Sequence, residues 1–273
     1  MRADQLLLQR QLASSRAQAQ RLIASGVRWR SGSAVDTLWK TVGKNSDELP
    51  LDAHIELLDL AEARYVSRGG LKLEGALKAA GVVVAGKACL DVGQSTGGFT
   101  DCLLQHGAAW VVGVDVGQGQ LHPAMRAHPQ VVALEQVNAR ELAVADILSA
   151  VEDHEHDRGA AGAALDGRFD LIVGDLSFIS QTLVLPALVP LLRADGHLLM
   201  LVKPQFELQP GQVGKGGIVK DASLYAFVEK RIRDCLAELG MKVCGWMDSP
   251  ITGGDGNREF FVHATAVAGI SQD

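Results

Sequence analysis

Between residues 88 and 203, short apolar runs recur, each closed by glycine or polar residues: ACLDVG, AWVVGVDVG, QVVALEQV, FDLIVGDLS and GHLLMLVKP. Runs this short and this evenly apolar read as strands buried on both faces. Between them lie GFTDCLLQHGA, LHPAMRAH, RELAVADILSAVEDH and QTLVLPALVPLL, which read as helical. Strand and helix in alternation predict βαβ units and a doubly wound, mostly parallel sheet. A long helix in DASLYAFVEKRIRDCLAELG follows, then two strands, KVCGWMD and REFFVHATA, joined through SPITGGDGN. A turn-rich connection of that kind predicts an antiparallel edge.

The first residues follow a different pattern. RADQLLLQRQLA and SSRAQAQRLIASG read as two short helices whose apolar faces are Leu6, Leu7, Leu22 and Ile23. Ser14 or Ser15 is placed to cap the second helix, and Gly26 to end it. GVRWRSGSAV then predicts strand, turn, strand, and NSDELPLDAHIELLDLAEARYVSRGG a link ending in a turn. The expected division is a small α+β domain with its linker over 1–62 and a large α/β domain over 63–273. The stretch EDHEHDRGAAGAALDG interrupts the larger pattern; His154 and His156 stand between acids there, but alternating charge predicts a surface loop.

Composition changes this picture little: 47% hydrophobic and 21% charged residues are those of an ordinary globular chain. No apolar run approaches the roughly 18 residues of a membrane span, and MRADQLLLQRQ lacks the apolar core of a signal peptide. A cytoplasmic protein is expected. Cys89, Cys102, Cys235 and Cys244 show no paired spacing, which predicts neither a metal site nor a disulfide framework. Charge changes the picture more. Residues 1–46 hold eight Lys/Arg against two acids, a balance of +6, whereas the rest of the chain stands at −12. A basic head on an acidic body points to a polyanionic partner. Arg16 and Arg21 are about 140° apart around a helix; they could flank one basic surface, and a solvated helix face explains them equally.

The chemistry concentrates in LDVGQSTGGFTD, residues 90–101, at the end of the first strand of the large domain. A phosphate loop needs a lysine after its glycines, and the dinucleotide fingerprint needs G-x-G-x-x-G. Neither is present. What remains is an acid at the strand end (Asp91), glycines that let a ligand approach the backbone (Gly93, Gly97, Gly98), and the loop residues Ser95, Thr96 and Phe99. A second acid, Asp115, follows 24 residues after Asp91, placed to accept ribose hydroxyls. A ligand with a ribose and a charged amino-acid tail but no pyrophosphate suits this set: S-adenosylmethionine. Asn138, after the third strand, is a candidate for its adenine, or a simple helix cap.

YVSRGGLKLEGAL, CLDVGQSTGGFTD, VGVDVGQGQLHP, GDLSFIS, LVKPQFE and GNREFF, in this order, resemble the TlyA family. The resemblance spans nearly the whole chain apart from the 153–168 insert. It implies a Rossmann-like class I methyltransferase of FtsJ type, preceded by an S4 RNA-binding domain. The head departs from the usual S4 turn, with Arg30-Ser31-Gly32 where Val-Asn-Gly is common. The resemblance further implies a catalytic tetrad of Lys72, Asp175, Lys203 and Glu259, with Asp175 also near the cofactor. The RNA contacts it implies are Arg2, Arg16, Arg21, Arg28, Arg30 and Arg68. Substrate and partner would be ribosomal RNA or a ribosomal subunit, and the acceptor a cytidine ribose.

The residues themselves favour an oxygen acceptor. DLSF stands where amine methyltransferases of nucleobases carry Asn/Asp-Pro-Pro-aromatic, and no Pro-Cys pair offers a carbon-5 nucleophile. Asp175 and Lys203 are expected at the carboxyl ends of strands, pointing into the cofactor crevice. Lys203 is the expected base or proton acceptor, Asp175 and Glu259 orient the lysines and substrate, and Lys72 places the hydroxyl or a phosphate. Two other readings stand beside this one: a non-catalytic RNA-binding protein on a methyltransferase scaffold, and a membrane-active haemolysin. The stretch GQVGKGGIVKD is expected to form a loop over the RNA site, or a plain surface turn.

Overall fold

The structure is a computed structural model, described here for all residues except 14, 32–37, 59–63, 159–165, 254–255 and 267–273. The expected domain boundary at 62/63, the Gly32 turn position and residues 159–165 of the 153–168 insert lie outside the described residues; the start of that insert, expected as a surface loop, instead continues the helix Val144–Arg158. The chain divides into two compact units, Met1–Arg68 and Gly69–Asp273.

In the first unit α1 (Ala3–Gln9) and α2 (Arg16–Gly26) lead into β1 (Val27–Arg30). Ser15 caps α2, its side chain accepting from the Gln18 amide, and Gly26 ends it with φ 121°. β1 is central, paired antiparallel with β2 (Lys40–Thr41) and with β3 (His54–Leu57). The sequence reading took the β3 segment for a link. His-Ile-Glu-Leu alternates polar and apolar residues, and Ile55 and Leu57 pack against a small core of Leu6, Leu7, Leu22, Ile23 and Val27. Four alternating residues beside an acidic run were too weak a signal without their partner strand.

The second unit opens with α3 (Gly69–Ala80) and then builds a seven-stranded sheet. Its strands are β4 (Ala88–Val92), β5 (Trp110–Asp115), β6 (Val131–Glu135), β7 (Phe169–Gly174), β8 (Leu192–Val202), β9 (Met241–Asp248) and β10 (Phe260–Ala266), in the order β6-β5-β4-β7-β8-β10-β9. The five strands expected from the apolar runs are parallel, and β10 runs antiparallel to both β8 and β9. Intervening helices are α4 (Gly98–Gln105), α5 (Pro123–Arg126), α6 (Val144–Arg158), α7 (Leu185–Leu188), α8 (Pro204–Glu207) and α9 (Ser223–Glu238). QTLVLPALVPLL is not one helix. It forms a 3-10 turn, the four residues of α7 and another 3-10 turn, because prolines 186 and 190 lack the amide protons a continuous helix requires.

Topology places the site. The chain leaves β4 for β5 and β6, then crosses back to β7 on the other side, which opens a crevice at the carboxyl ends of β4 and β7. Register brings the strand ends level, with Val92 opposite Val114 and Gly174. Phe260 pairs with Val202, so the antiparallel strand β10 starts where β8 stops and residue 259 arrives beside residue 203.

Candidate active site

The glycine loop connects β4 to α4. Gly93 has φ 83°, and a Cβ there would meet the Asp175 carbonyl oxygen at 2.6 Å, so only glycine lets the two strand ends close on one another. Gly97, φ 89°, starts α4 at its N-cap. Beneath the loop Asp91 is fully buried. Its Oδ2 accepts from Thr100 Oγ1 at 2.7 Å, and Thr100 Oγ1 accepts from Gln94 Nε2 at 2.9 Å. Its Oδ1 has no hydrogen-bond partner among the described residues. Burial is the chief reason the Asp91 carboxyl is pushed up to about 7, with Thr100 opposing and the charges of Asp175 and Asp115 adding to the rise.

This has a stability consequence. Between its unfolded value near 4 and about 7 the native state holds a proton that the unfolded chain has lost, so stability falls as pH rises through that window. The effect is on the order of 2–4 kcal/mol. Asp91→Asn is expected to flatten the fall, measured as thermal midpoints of the ligand-free protein between pH 4.5 and pH 8; a slope equal to wild type would refute the assignment.

A cavity of about 450 Å³ opens beside the loop. Among the residues expected to hold cofactor, Gly93, Ser95, Asp115, Asn138 and Asp175 line it, while Asp91, Thr96, Gly97, Gly98 and Phe99 do not. Phe99 is buried and stacks on Phe261 at 6.2 Å, a core contact. Asp115 accepts the Ser95 amide at 2.7 Å on Oδ2 and the Gly117 amide at 2.7 Å on Oδ1. Each oxygen keeps a lone pair for a ribose hydroxyl. Val114, Val116, Val137 and Ile179 supply apolar walls, and Asn138 takes the Arg140 amide at 3.2 Å, an Asx-type turn. Carboxylate, amide and apolar wall in a cavity of this size fit S-adenosylmethionine.

The four tetrad residues arrive from four different elements and form two ion pairs. Lys203, directly after β8, has Nζ 2.5 Å from Asp175 Oδ1, a contact of ion-pair rather than hydrogen-bond geometry; its directed bond goes to Ser177 Oγ at 2.8 Å. Lys72 on α3 donates to Glu259 Oε2 at 2.5 Å, with both residues buried. Gly75, one turn beyond Lys72, makes that approach possible: a Cβ there would strike Pro250 Cγ at 2.7 Å. Burial raises the Glu259 carboxyl, Lys72 opposes the rise, and Asp175 and Lys203 are near enough to act on it in opposite senses. Glu259 takes the Lys72 charge, so a carboxylate faces each lysine.

Sequence reasoning missed Phe178 and Ser177. Phe178 is 91% exposed, holds φ 64° and lines the cavity. An aromatic residue that is both exposed and in the left-handed region is uncommon outside functional sites. Its place two residues beyond an exposed-end Asp-Leu was the only sequence signal.

In the first unit the predicted RNA-contacting arginines fall into groups. Arg2 and Arg16 reach the fully buried Asp4, at 2.9 and 3.3 Å. Those pairs hold the Asp4 carboxyl below the usual range, chiefly through Arg2. Arg28 forms a two-armed pair with Glu56 at 2.8 and 2.9 Å. Arg28 and Arg30 both lie over the Trp39 ring, 4.8 and 5.0 Å from its centroid. Arg21 stands on α2 and Arg68 at the unit's last position, both half-buried.

The mostly parallel sheet, with a glycine turn and a cofactor-sized crevice at the carboxyl ends of its strands, is that of an S-adenosylmethionine-dependent methyltransferase of Rossmann-like fold. Residues 65–266 match the FtsJ-like methyltransferase family. The chain is 44% identical to the 16S/23S rRNA (cytidine-2'-O)-methyltransferase TlyA of Mycobacterium tuberculosis, over 96% of this chain and 88% of that one. It is 35% identical to hemolysin A of Brachyspira hyodysenteriae, over 96% and 99%. A solved Streptococcus thermophilus protein, described as a candidate hemolysin, matches with TM-score 0.70 at 35% identity over 98% of this chain and 89% of that one. The chain belongs to the TlyA family of FtsJ-like methyltransferases. Among the described residues, no helix is long and apolar enough to cross a membrane.

Proposed function

We propose that this protein transfers the methyl group of S-adenosylmethionine to the ribose 2′-oxygen of a cytidine in ribosomal RNA. The observation that carries the reading is the pair of ion pairs, Lys203–Asp175 and Lys72–Glu259, near enough for Asp175 and Lys203 to act on Glu259, with Asp175 lining a cofactor-sized cavity. The bound cofactor supplies an electrophilic methyl on a sulfonium. This chain supplies position and proton transfer: the 2′-hydroxyl proton is taken up at Lys203 Nζ of the Lys203–Asp175 pair as the oxygen is methylated. Asp175 and Ser177 aim that nitrogen, and Glu259 fixes Lys72 against the sugar or its phosphate. Holding the oxygen in line is worth about 7–11 kcal/mol of the barrier. The relative from M. tuberculosis supports ribosomal RNA and cytidine as substrate, and that substrate supports a cytoplasmic setting.

Residues 1–46, with their net charge of +6, supply phosphate contacts, and exposed Phe178 offers a face on which an unstacked base can rest. Phe178→Ala is expected to raise the RNA KM about 10-fold, following the roughly 1–3 kcal/mol of a base–aromatic stack, and to weaken cofactor binding, read by calorimetry, less than that. An RNA KM within twofold of wild type would remove Phe178 from the substrate site. The overall reading is tested by transfer of labelled methyl to ribosomal RNA from a strain lacking the gene, followed by nucleotide mapping. Label on a nucleobase, or none on RNA, would overturn it.

A further inference from the structure

Two segments leave the sheet at the crevice: 175–181 after β7 and 203–207 after β8. Three rungs join them. Lys203 Nζ donates to Ser177 Oγ at 2.8 Å. The Phe178 and Phe206 rings lie 5.0 Å apart. At the far end Glu207, 2% exposed, accepts Ser180 Oγ on Oε2 at 2.5 Å and the Gln181 amide on Oε1 at 2.7 Å. α9 braces this third rung, since Arg231 donates to the Glu207 carbonyl at 2.7 Å and reaches Thr182 Oγ1 at 3.3 Å. The Gln181 side chain is tied in turn to the Leu201 carbonyl of β8 at 2.5 Å.

The middle of the first segment is where the backbone is strained. Phe178 has φ 64° with its ring almost wholly in solvent, so neither local preference nor burial of the ring accounts for that conformation. Such a residue persists only when its surroundings over-determine it. Ser177 is fixed from one side by Lys203, and Ser180 and Gln181 from the other by Glu207. The geometry points to Glu207 as a positioning residue: its buried carboxylate pins residues 180–181, and thereby holds Phe178 displayed and Ser177 against Lys203. Glu207 touches no cavity wall and takes no proton in the reaction; it acts through the segment it holds. This inference rests on the RNA 2′-O-methyltransferase reading, because Phe178 and Lys203 are the groups it positions.

The test compares Glu207→Ala, Glu207→Gln and Ser180→Ala with wild type, well below each protein's melting temperature. Three readouts are taken: methyl transfer to ribosomal RNA, S-adenosylmethionine affinity, and amide hydrogen exchange in the peptide covering 177–184. Glu207→Ala is expected to speed exchange there at least tenfold and to lower kcat about 10- to 100-fold, with cofactor affinity within threefold. Glu207→Gln keeps an acceptor for the Gln181 amide and is expected to recover most of the rate. Should the alanine variant fail to fold, Ser180→Ala, which loses one of the two bonds, is expected to lower kcat a few-fold while folding normally. A carboxylate with a merely structural role would lower the melting temperature and leave kcat and exchange at wild-type values, and that result overturns the inference. Equal losses in rate and in cofactor affinity also overturn it, since they mean the pocket itself has collapsed. Wild-type protein inactive on RNA would sink the functional reading before any variant is made; the exchange measurement would still judge the clamp, and unchanged exchange in Glu207→Ala would overturn it separately.

Discussion

Lys203→Ala is expected to lower the rate of methyl transfer about 10²- to 10⁴-fold, the range a positioned proton acceptor contributes. Cofactor affinity should be nearly unchanged, because the cavity wall is built from Asp115, Asn138 and Asp175 rather than from Lys203. Single-turnover transfer of labelled methyl checks the rate, and calorimetry checks the affinity. Lys203→Arg sharpens the test. Arginine keeps the charge beside Asp175 but cannot lose its proton, so it is expected to be as inactive as alanine if Lys203 accepts the hydroxyl proton. An arginine variant near wild-type rate would mean that only the positive charge matters. An alanine variant within tenfold of wild type would remove Lys203 from the centre of the mechanism.

The second large effect concerns the buried Lys72–Glu259 pair. Removing one partner leaves the other charge uncompensated in a site from which water is nearly excluded. Glu259→Ala should therefore cost about 3–5 kcal/mol, a fall of roughly 10 °C in the melting temperature of a unit this size. Replacing both with apolar residues of similar volume, Lys72→Met with Glu259→Leu, removes the unpaired charge as well as the pair. That double variant is expected to melt close to wild type and to transfer no methyl. The contrast between a damaged single variant and a stable, inactive double variant would show that the pair is kept for chemistry. A double variant that melts as low as Glu259→Ala would instead show the pair to be a stabilising element, and one that retains turnover would free both residues from the mechanism.

Much of the site was legible in the chain because the signals were local. Apolar runs ending in Asp or Lys put Asp175 and Lys203 at strand ends, where the structure has them beside β7 and β8. The glycine loop declared itself by what it lacked as much as by its glycines. Asp115 could be placed from the strand that precedes it. The less legible parts depend on partners distant in sequence. β3 is invisible without β1, and α3, which carries Lys72, was assigned no element, the expected link and turn stopping at Gly70. Phe178 looks like an ordinary core aromatic until the backbone at that position is seen to turn its ring outward. The arginines of the first unit were read as a phosphate-binding set, but Arg2, Arg16 and Arg28 also have carboxylate partners that no spacing rule reveals.

The sequence alone determined the order of the five parallel strands and the composition of the glycine loop, since period and turn residues are properties of short stretches; the four tetrad positions came from resemblance in motif order. Tertiary structure decided how the charges combine. Glu259 is 187 residues from Lys72, and it reaches that lysine only because the antiparallel strand β10 begins where β8 ends and a glycine lets α3 come close. Which carboxylate neutralises which lysine depends on register and close approach across the sheet, and no local pattern encodes either.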